Sequence, residues 1–374
     1  MPDEVRSTRE LENDQGFMRR ALDLARRGWG QTAPNPMVGA VVVQDGIVVG
    51  EGWHARYGGP HAEVEALRAA GERARGATLY VSLEPCNHFG KTPPCTDAIL
   101  AAGVQRVVAA CADPSPVARG GADRLREAGI DVTLGVEEAA ARELNAPFFH
   151  AQSTDRPFVQ LKLALSLDGA LADHTRQPGW LTGELARREV HRLRAGVDAV
   201  AVGIGTVLAD DPELTVRHAT PPRVAPTRVV FDTSARLPRT SKLAHGASQI
   251  PVIVVCWAPE PAHAAALEHT GVTLLHAATS RDALVALRER GVRSLLVEGG
   301  AGLASTLVQE ALVDRLIIFR APLVLGSGAM NAFGSVPPTR AGDAPRWRLL
   351  RTQRFEDDEM SVYAPPVRGG GRAI

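Results

Sequence analysis

The stretch from His61 to Cys95 constrains this chain more than any other. It reads His61-Ala62-Glu63, then a helical and a strand-like pattern, then Pro85-Cys86-Asn87-His88-Phe89-Gly90-Lys91-Thr92-Pro93-Pro94-Cys95. One imidazole (His61) and two thiolates (Cys86, Cys95) make three metal ligands. That number suits a catalytic zinc whose fourth position is open to water. Glu63 lies two residues from the imidazole and is placed to move protons rather than to bind metal. A structural zinc needs a fourth protein ligand, and His88 is the local candidate. A Cys-Cys-His-His site is therefore the competing reading.

At 374 residues and 45% hydrophobic composition the chain can build two ordinary domains. Its formal net charge is zero, so bulk electrostatics point to neither nucleic acid nor membrane as a partner. Few aromatic residues argue against base-stacking platforms. The segment 1–15 is charged and polar, without a signal-peptide core. No run approaches the roughly 20 apolar residues that span a bilayer. Cys111 and Cys256, outside the proposed site, lie in apolar strand-like contexts where a buried free thiol is expected. A soluble cytoplasmic protein fits best.

Residues 1–13 read as a disordered tail. A helix is predicted from Asp14 to Arg27, then two strands, Ala40–Gln44 and Ile47–Gly50, joined by Asp45-Gly46. Further elements follow at 61–70 (helix), 78–83 (strand), 96–102 (helix), 104–110 (strand), 120–128 (helix) and 130–134 (strand). With Pro93-Pro94 before it, Cys95 falls at or near a helix N-terminus, which lowers a thiol pKa. This alternation predicts a three-layer α/β domain, and 146–156 reads as a linker. A second alternating series predicts a largely parallel sheet, with strands near 158–164, 199–202, 228–231, 252–256, 272–275, 294–297 and 315–320. Its helices are predicted near 184–195, 261–269, 281–290 and 303–310, with a closing antiparallel hairpin at 347–355 and 359–364. The domains are set at 14–147 and 156–366.

The chemistry follows from the residue types. Zinc lowers the pKa of a bound water toward ~7. A His-x-Glu followed by Pro-Cys and a second Cys is the pattern of zinc deaminases, which replace an exocyclic amine of a ring by oxygen. The carboxylate would shuttle the water's proton to the ring nitrogen and to departing ammonia. The loop residues Asn35 and His54 supply polar groups with no evident structural task, which favours an open pocket. Asn35-Pro36-x-Val38-Gly39, His61-Ala62-Glu63 and the run Leu83 to Cys95 closely resemble the bifunctional riboflavin-biosynthesis deaminase/reductase family. The wide spacing of the two cysteines is unlike nucleic-acid deaminases. The resemblance implies a cytidine-deaminase-like zinc domain acting on 2,5-diamino-6-(5-phosphoribosylamino)pyrimidin-4-one. Asn35 and His54 would hold the pyrimidine, and His88 and Lys91 would sit near the ribose phosphate. A flexible ammonium suits a phosphate, although Lys91 also reads as a solvated loop charge.

The second half has no GxGxxG after its first strand, so a Rossmann dehydrogenase is not indicated. It does carry two Gly-rich turns at strand ends, Gly203-Ile204-Gly205-Thr206 and Glu298-Gly299-Gly300-Ala301-Gly302, suited to phosphate. These segments resemble the family's reductase half, which implies a dihydrofolate-reductase-like fold using NADPH to reduce a ribosyl group to ribityl. By that resemblance Ala164, Trp180, Thr206, Asp210 and the turn Gly300, Ala301, Gly302, Leu303, Ala304, Ser305 and Thr306 contact the cofactor. The same resemblance implies that Arg194, Leu214, Arg217 and Glu298 line the substrate site, where Lys162 offers a further charge. Two positions depart from the family pattern: Ala170 follows Ser166-Leu167-Asp168-Gly169 in place of Lys or Arg, and Pro178 replaces a Ser. An active deaminase with an inactive or substrate-shifted reductase is therefore one alternative, and a non-catalytic zinc-stabilised module is another. The resemblance also implies a homo-oligomer.

Overall fold

The computed structural model describes residues 8–177 and 179–366; Pro178 and the C-terminal segment from 367 onward lie outside them. The chain divides after Ser153 into two compact units.

The first unit contains α1 (Thr8–Ala25), β1 (Gly39–Gln44), β2 (Ile47–Trp53), α2 (Ala62–Ala70), β3 (Thr78–Val81), α3 (Cys95–Ala102) and β4 (Arg106–Ala109). It continues with α4 (Gly121–Glu127), β5 (Asp131–Leu134), α5 (Glu138–Leu144) and α6 (Ala146–Ala151). Its sheet runs β2-β1-β3-β4-β5; β1 pairs antiparallel with both neighbours, and β3-β4-β5 are parallel. Strand side chains alternate between two faces. Ala40, Val42, Leu79, Val81 and Val107 pack against Ala66 and Leu67 of α2, Ile99 of α3 and Leu125 of α4. Val41, Val43, Tyr80 and Val108 pack against Met18 and Leu22 of α1 and Ala141 of α5. The result is the three-layer domain that the alternation predicted.

Three expectations need correction. The N-terminal helix begins at Thr8, not Asp14. Its first turns are polar, so no apolar period marks them, and the tail reading for residues 8–13 fails. Residues 138–144 form α5, which the sequence reading passed over. Much of the expected linker is α6, where Pro147 occupies an early helical position that tolerates proline, and Phe148 and Phe149 pack on the α1 side of the core.

The second unit contains β6 (Phe158–Leu165), β7 (Ala170–Ala172), α7 (Glu184–Ala195), β8 (Ala199–Gly203), α8 (Ile204–Asp210), β9 (Thr227–Phe231), α9 (Lys242–His245) and β10 (Val252–Cys256). It continues with α10 (Pro261–Glu268), β11 (Thr273–His276), α11 (Ser280–Glu289), β12 (Ser294–Glu298), α12 (Ala301–Gln309), β13 (Arg315–Arg320), β14 (Met330–Asn331), β15 (Arg348–Phe355) and β16 (Asp358–Ala364). Its main sheet runs β11-β10-β9-β8-β12-β6-β13-β16-β15. The first seven strands of that order are parallel, and β16 and β15 close the edge as the expected antiparallel hairpin. Buried side chains fill both faces, with Val190 and Leu193 of α7 on one side and Leu284 and Leu287 of α11 on the other. Both Gly-rich turns open helices, because β8 leads directly into α8 and β12 into α12. Among the described residues no helix is long and apolar enough to cross a membrane.

Candidate active sites

The deaminase-type site is assembled from three element ends. His61 is the N-cap of α2 in extended conformation, Cys86 lies in the turn after β3, and Cys95 is the first residue of α3 behind Pro94. The Nδ1 of His61 lies 3.2 Å from the Sγ of Cys95 and 3.5 Å from that of Cys86. The three ligand atoms all fall within 4.8 Å of one another. A tetrahedral zinc with bonds of about 2.3 Å to sulfur and about 2.0 Å to nitrogen has ligand edges of about 3.5 Å, so the trio fits that ion. Among the described residues His88 does not join this cluster, which weighs against the Cys-Cys-His-His reading. Hydrogen bonding from Cys95, against the opposing effect of burial, pulls the Cys86 thiol down. The Cys86 hydrogen bond and burial push the Cys95 thiol up, so the lowering expected of Cys95 from its helix N-terminus falls on Cys86 instead. The Cys95 backbone N–H also points at that sulfur, 3.4 Å away.

Glu63, on the first turn of α2, is buried at 3% exposure. Loss of water pushes its carboxyl up to about 7, the range in which a carboxyl both gives and takes protons at neutral pH. A cavity of about 280 Å³ opens over it, and Asn35, His54, His88 and Lys91 all stand in its wall. The Nδ1 of His54 lies 3.0 Å from the Pro60 carbonyl, and the Asn35 amide lies 3.3 Å from its Nε2. Burial lowers the His54 pKa. A neutral ring that donates from Nδ1 and accepts from Asn35 satisfies both contacts. Lys91 is not merely a solvated loop charge, because its ammonium sits 4.1 Å from the centre of the Tyr57 ring. The Nδ1 of His88 is buried without a partner, a vacancy a ligand group can fill. The sequence reading missed Tyr57 and Asp113, which also line the cavity. Burial raises Asp113 to about 6.

The wall is held from behind. Glu84 is buried, and its carboxylate accepts N–H bonds from Asp113, Gly120 and Ala122 at 2.9–3.1 Å. This locks the turn before Cys86 to the start of α4. Gly121 allows the approach, since a Cβ there would fall 1.8 Å from the Pro85 carbonyl oxygen.

In the second unit Glu298 ends β12 beside Lys162 of β6 in register. Arg194 of α7 grips Glu298 with two nitrogens at 2.5 and 3.0 Å, and donates to the Thr215 carbonyl at 2.8 Å. Leu214, in the same loop, is buried with φ +54°. Arg217 donates its backbone N–H to His191 at 3.1 Å, while its exposed side chain pairs with Glu213. Thr206 stands against the α12 turn, its hydroxyl 3.3 Å from where a Cβ on Gly300 would lie. The free amides at the start of α12, from Ala301 through Leu303, give that turn the positive end of a helix. Ala304 and Ser305 are buried, and the Ser305 hydroxyl has no partner. Thr306 turns its hydroxyl back to Gly302. Burial raises the pKa of Asp210. Ala164 lies on β6, two residues beyond Lys162. Trp180 stands apart, 78% exposed with Arg187 over its ring. Ala170 is buried in β7, paired with β14; the other departure, Pro178, falls outside the described residues.

Comparison with known proteins extends both halves. A family model for the RibD C-terminal domain matches residues 157–360. The riboflavin biosynthesis protein RibD of Aquifex aeolicus is 45% identical over 320 residues, which is 85% of this chain and 89% of that one. The chain belongs to the RibD family. A model for the cytidine and deoxycytidylate deaminase zinc-binding region matches residues 11–111. RibD of Escherichia coli is 43% identical over 362 residues, covering 92% of this chain and 97% of its own. The solved structure of RibD from Acinetobacter baumannii is similar over 96% of this chain and 100% of its own, with TM-score 0.83 and 40% identity. A Thermotoga maritima protein described as a diaminohydroxyphosphoribosylaminopyrimidine deaminase/5-amino-6-(5-phosphoribosylamino)uracil reductase covers 95% and 99%, with TM-score 0.83 and 35% identity. The fold is thus a cytidine-deaminase-like zinc domain followed by a RibD reductase domain.

Proposed function

We propose that the first unit deaminates 2,5-diamino-6-(5-phosphoribosylamino)pyrimidin-4-one and the second reduces the resulting uracil derivative. The chain is a bifunctional riboflavin-biosynthesis enzyme, a hydrolase and an oxidoreductase, as its RibD relatives are. The observation that carries the first activity is the trio His61, Cys86 and Cys95 with the buried Glu63 at one cavity. These three residues would hold a zinc ion, which would supply a water of lowered pKa. Glu63 accepts a proton from the attacking water and delivers protons to the ring nitrogen and to the departing ammonia. Asn35 and the neutral His54 orient the pyrimidine, while His88 and Lys91 face the ribose phosphate. Glu63→Gln is expected to keep about one zinc per chain yet to lose ammonia release by about 10²–10⁴-fold. Persisting deamination would sink the proton-shuttle role.

For the reductase, NADPH when bound would supply a hydride which, together with a proton, would reduce the open-chain ribosyl carbonyl to the ribityl alcohol. Ala164, Trp180, Thr206, Asp210 and the turn from Gly300 to Thr306 hold the cofactor. Arg194, Leu214, Arg217 and Glu298 hold the substrate, with the arginines suited to its phosphate. Support comes from the closeness of Thr206 to Gly300 and from the positive start of α12. The match of relatives across both halves does not favour a reductase-dead protein or a zinc-stabilised binding module. NADPH oxidation that depends on the deaminated phosphoribosyl intermediate tests this half, and its absence would refute it. Catalytic work is assigned to residues 14–147 and 156–366, in line with the division after Ser153. The partner is a small phosphorylated substrate rather than nucleic acid or membrane. The enzyme is assigned to the cytoplasm as a homo-oligomer; the buried free thiols of Cys111 and Cys256 accord with a reducing compartment.

A further inference from the structure

The two cysteine ligands bracket an eight-residue loop, Asn87 to Pro94, that contains Gly90, Pro93 and Pro94 and forms no helix or strand. Something outside the loop must fix the separation of its ends. We infer that Arg124 is a positioning residue for the zinc site: by gripping Asn87 and Thr96 together, its guanidinium sets the spacing of Cys86 and Cys95. This rests on the zinc reading above and concerns a residue to which that reading gives no task.

Asn87 directly follows Cys86, and Thr96 directly follows Cys95. One nitrogen of Arg124 donates to the Asn87 side-chain oxygen at 2.8 Å and to the Thr96 hydroxyl at 2.9 Å. The Thr96 hydroxyl donates to the same Asn87 oxygen at 3.1 Å, and the Thr96 backbone N–H reaches the Cys86 carbonyl at 3.3 Å. The other terminal nitrogen of Arg124 reaches Asp97 at 2.5 Å, supplying the counter-charge. Thr96 is wholly buried, so this junction is held in a fixed environment. The helix that carries Arg124 is itself anchored. Glu84 accepts from Gly120 and Ala122, and Gly121 seats directly on Pro85. The start of α4 is thereby registered to the residues before Cys86, and Arg124 ties the residues after Cys86 and Cys95 to the same helix. Lysine cannot substitute, because a single ammonium lacks the planar fork that reaches three acceptors at once.

Groups behind a metal's ligands typically govern its retention by about 10–100-fold. The test uses the full chain loaded with zinc and follows transfer of the metal to an excess of a chromophoric chelator. The Arg124→Ala and Arg124→Lys variants are expected to release zinc about 10–100-fold faster than the parent. Thr96→Val keeps the shape and removes one hydroxyl, so its release should quicken in the same direction by a smaller factor. Cobalt-loaded Arg124→Ala should show an altered visible spectrum, while the metal-free variant should melt at the temperature of the metal-free parent. Release rates indistinguishable from the parent's overturn the inference. So does an equal loss of melting temperature with and without metal, which marks general support of the fold. If Arg124→Ala does not fold, Thr96→Val decides alone. A parent chain that holds no zinc refutes the underlying site instead, and is read before any variant.

Discussion

Glu298 stands between two cations, and the two ways of breaking that arrangement should differ. Arg194 holds the carboxylate with two nitrogens, and both side chains are 12% exposed. Lys162 lies beside it in the β6–β12 register. Burial lowers the Lys162 pKa, Glu298 props it up, and Arg194 opposes it. In Arg194→Met, Glu298 keeps Lys162 as counter-charge. In Glu298→Gln, two cations face each other with no anion. Removing one partner of a buried pair costs about 3–5 kcal/mol when the other charge is left bare, and Glu298→Gln belongs in that range. Arg194→Met loses hydrogen bonds to a charged group that retains a partner, and about 1.5–3 kcal/mol is expected. The pH dependence separates the two further. Without Glu298 the folded-state pKa of Lys162 drops further below that of an unfolded lysine. The unfolded state then binds more protons between those two values, so stability rises with pH by up to about 1.4 kcal/mol per pH unit. Arg194→Met should show a shallower rise. Scanning calorimetry of the full chain between about pH 7 and pH 9.5, with the second unit's transition identified as the one these substitutions move, measures both effects. Equal costs for the two variants, or Glu298→Gln stability that stays flat or falls with rising pH, would refute the three-charge account.

Two further outcomes are expected. Cys86→Ser should lower zinc content well below one per chain by elemental analysis, because a hydroxyl does not supply the thiolate that the site offers; full retention would remove Cys86 from the ligand set. His191 accepts the Arg217 backbone N–H, and burial, then Arg194 and Arg217, hold its pKa down to about 4. An unfolded histidine takes its proton near 6.5, so the stability this ring contributes is present above that pH and lost as pH falls toward 4. His191→Gln should flatten the acid limb of stability of the second unit, and an unchanged limb would show that another group titrates there.

The sequence disclosed the zinc site because its chemistry demands particular residue types within a short window. His61, Glu63, Cys86 and Cys95 need no long-range information to be suspected; the structure gathers the three ligands around one point and sets Glu63 in the wall of the same cavity. What supports them was hidden. Glu84, Gly121 and Arg124 act through contacts made 28–38 residues away along the chain, and their side chains read as an ordinary acid, spacer and surface cation. Tyr57 becomes informative only when Lys91 is seen over its ring. The same limit applies to the fold. Strands and helices with an apolar period were legible, whereas the first turns of α1 and the short helices α5 and α6 lacked that signal. In α8 the glycines at 203 and 205 masked the helical spacing of the buried Ile204 and Val207.

The two halves differ in legibility for a physical reason. A metal site concentrates its requirement on ligand atoms, so composition and spacing expose it. A site for an extended cofactor and a sugar phosphate spreads its requirement over backbone amides and charges from distant strands. Arg194 and Glu298, 104 residues apart, acquire meaning only when parallel strand order places the ends of β8, β12 and β6 side by side. Substitution at Ala170 therefore has to be judged in the folded environment. That position is buried in the β7–β14 pair, so a long cation there would need an exit or a buried partner. The small residue accords with that burial.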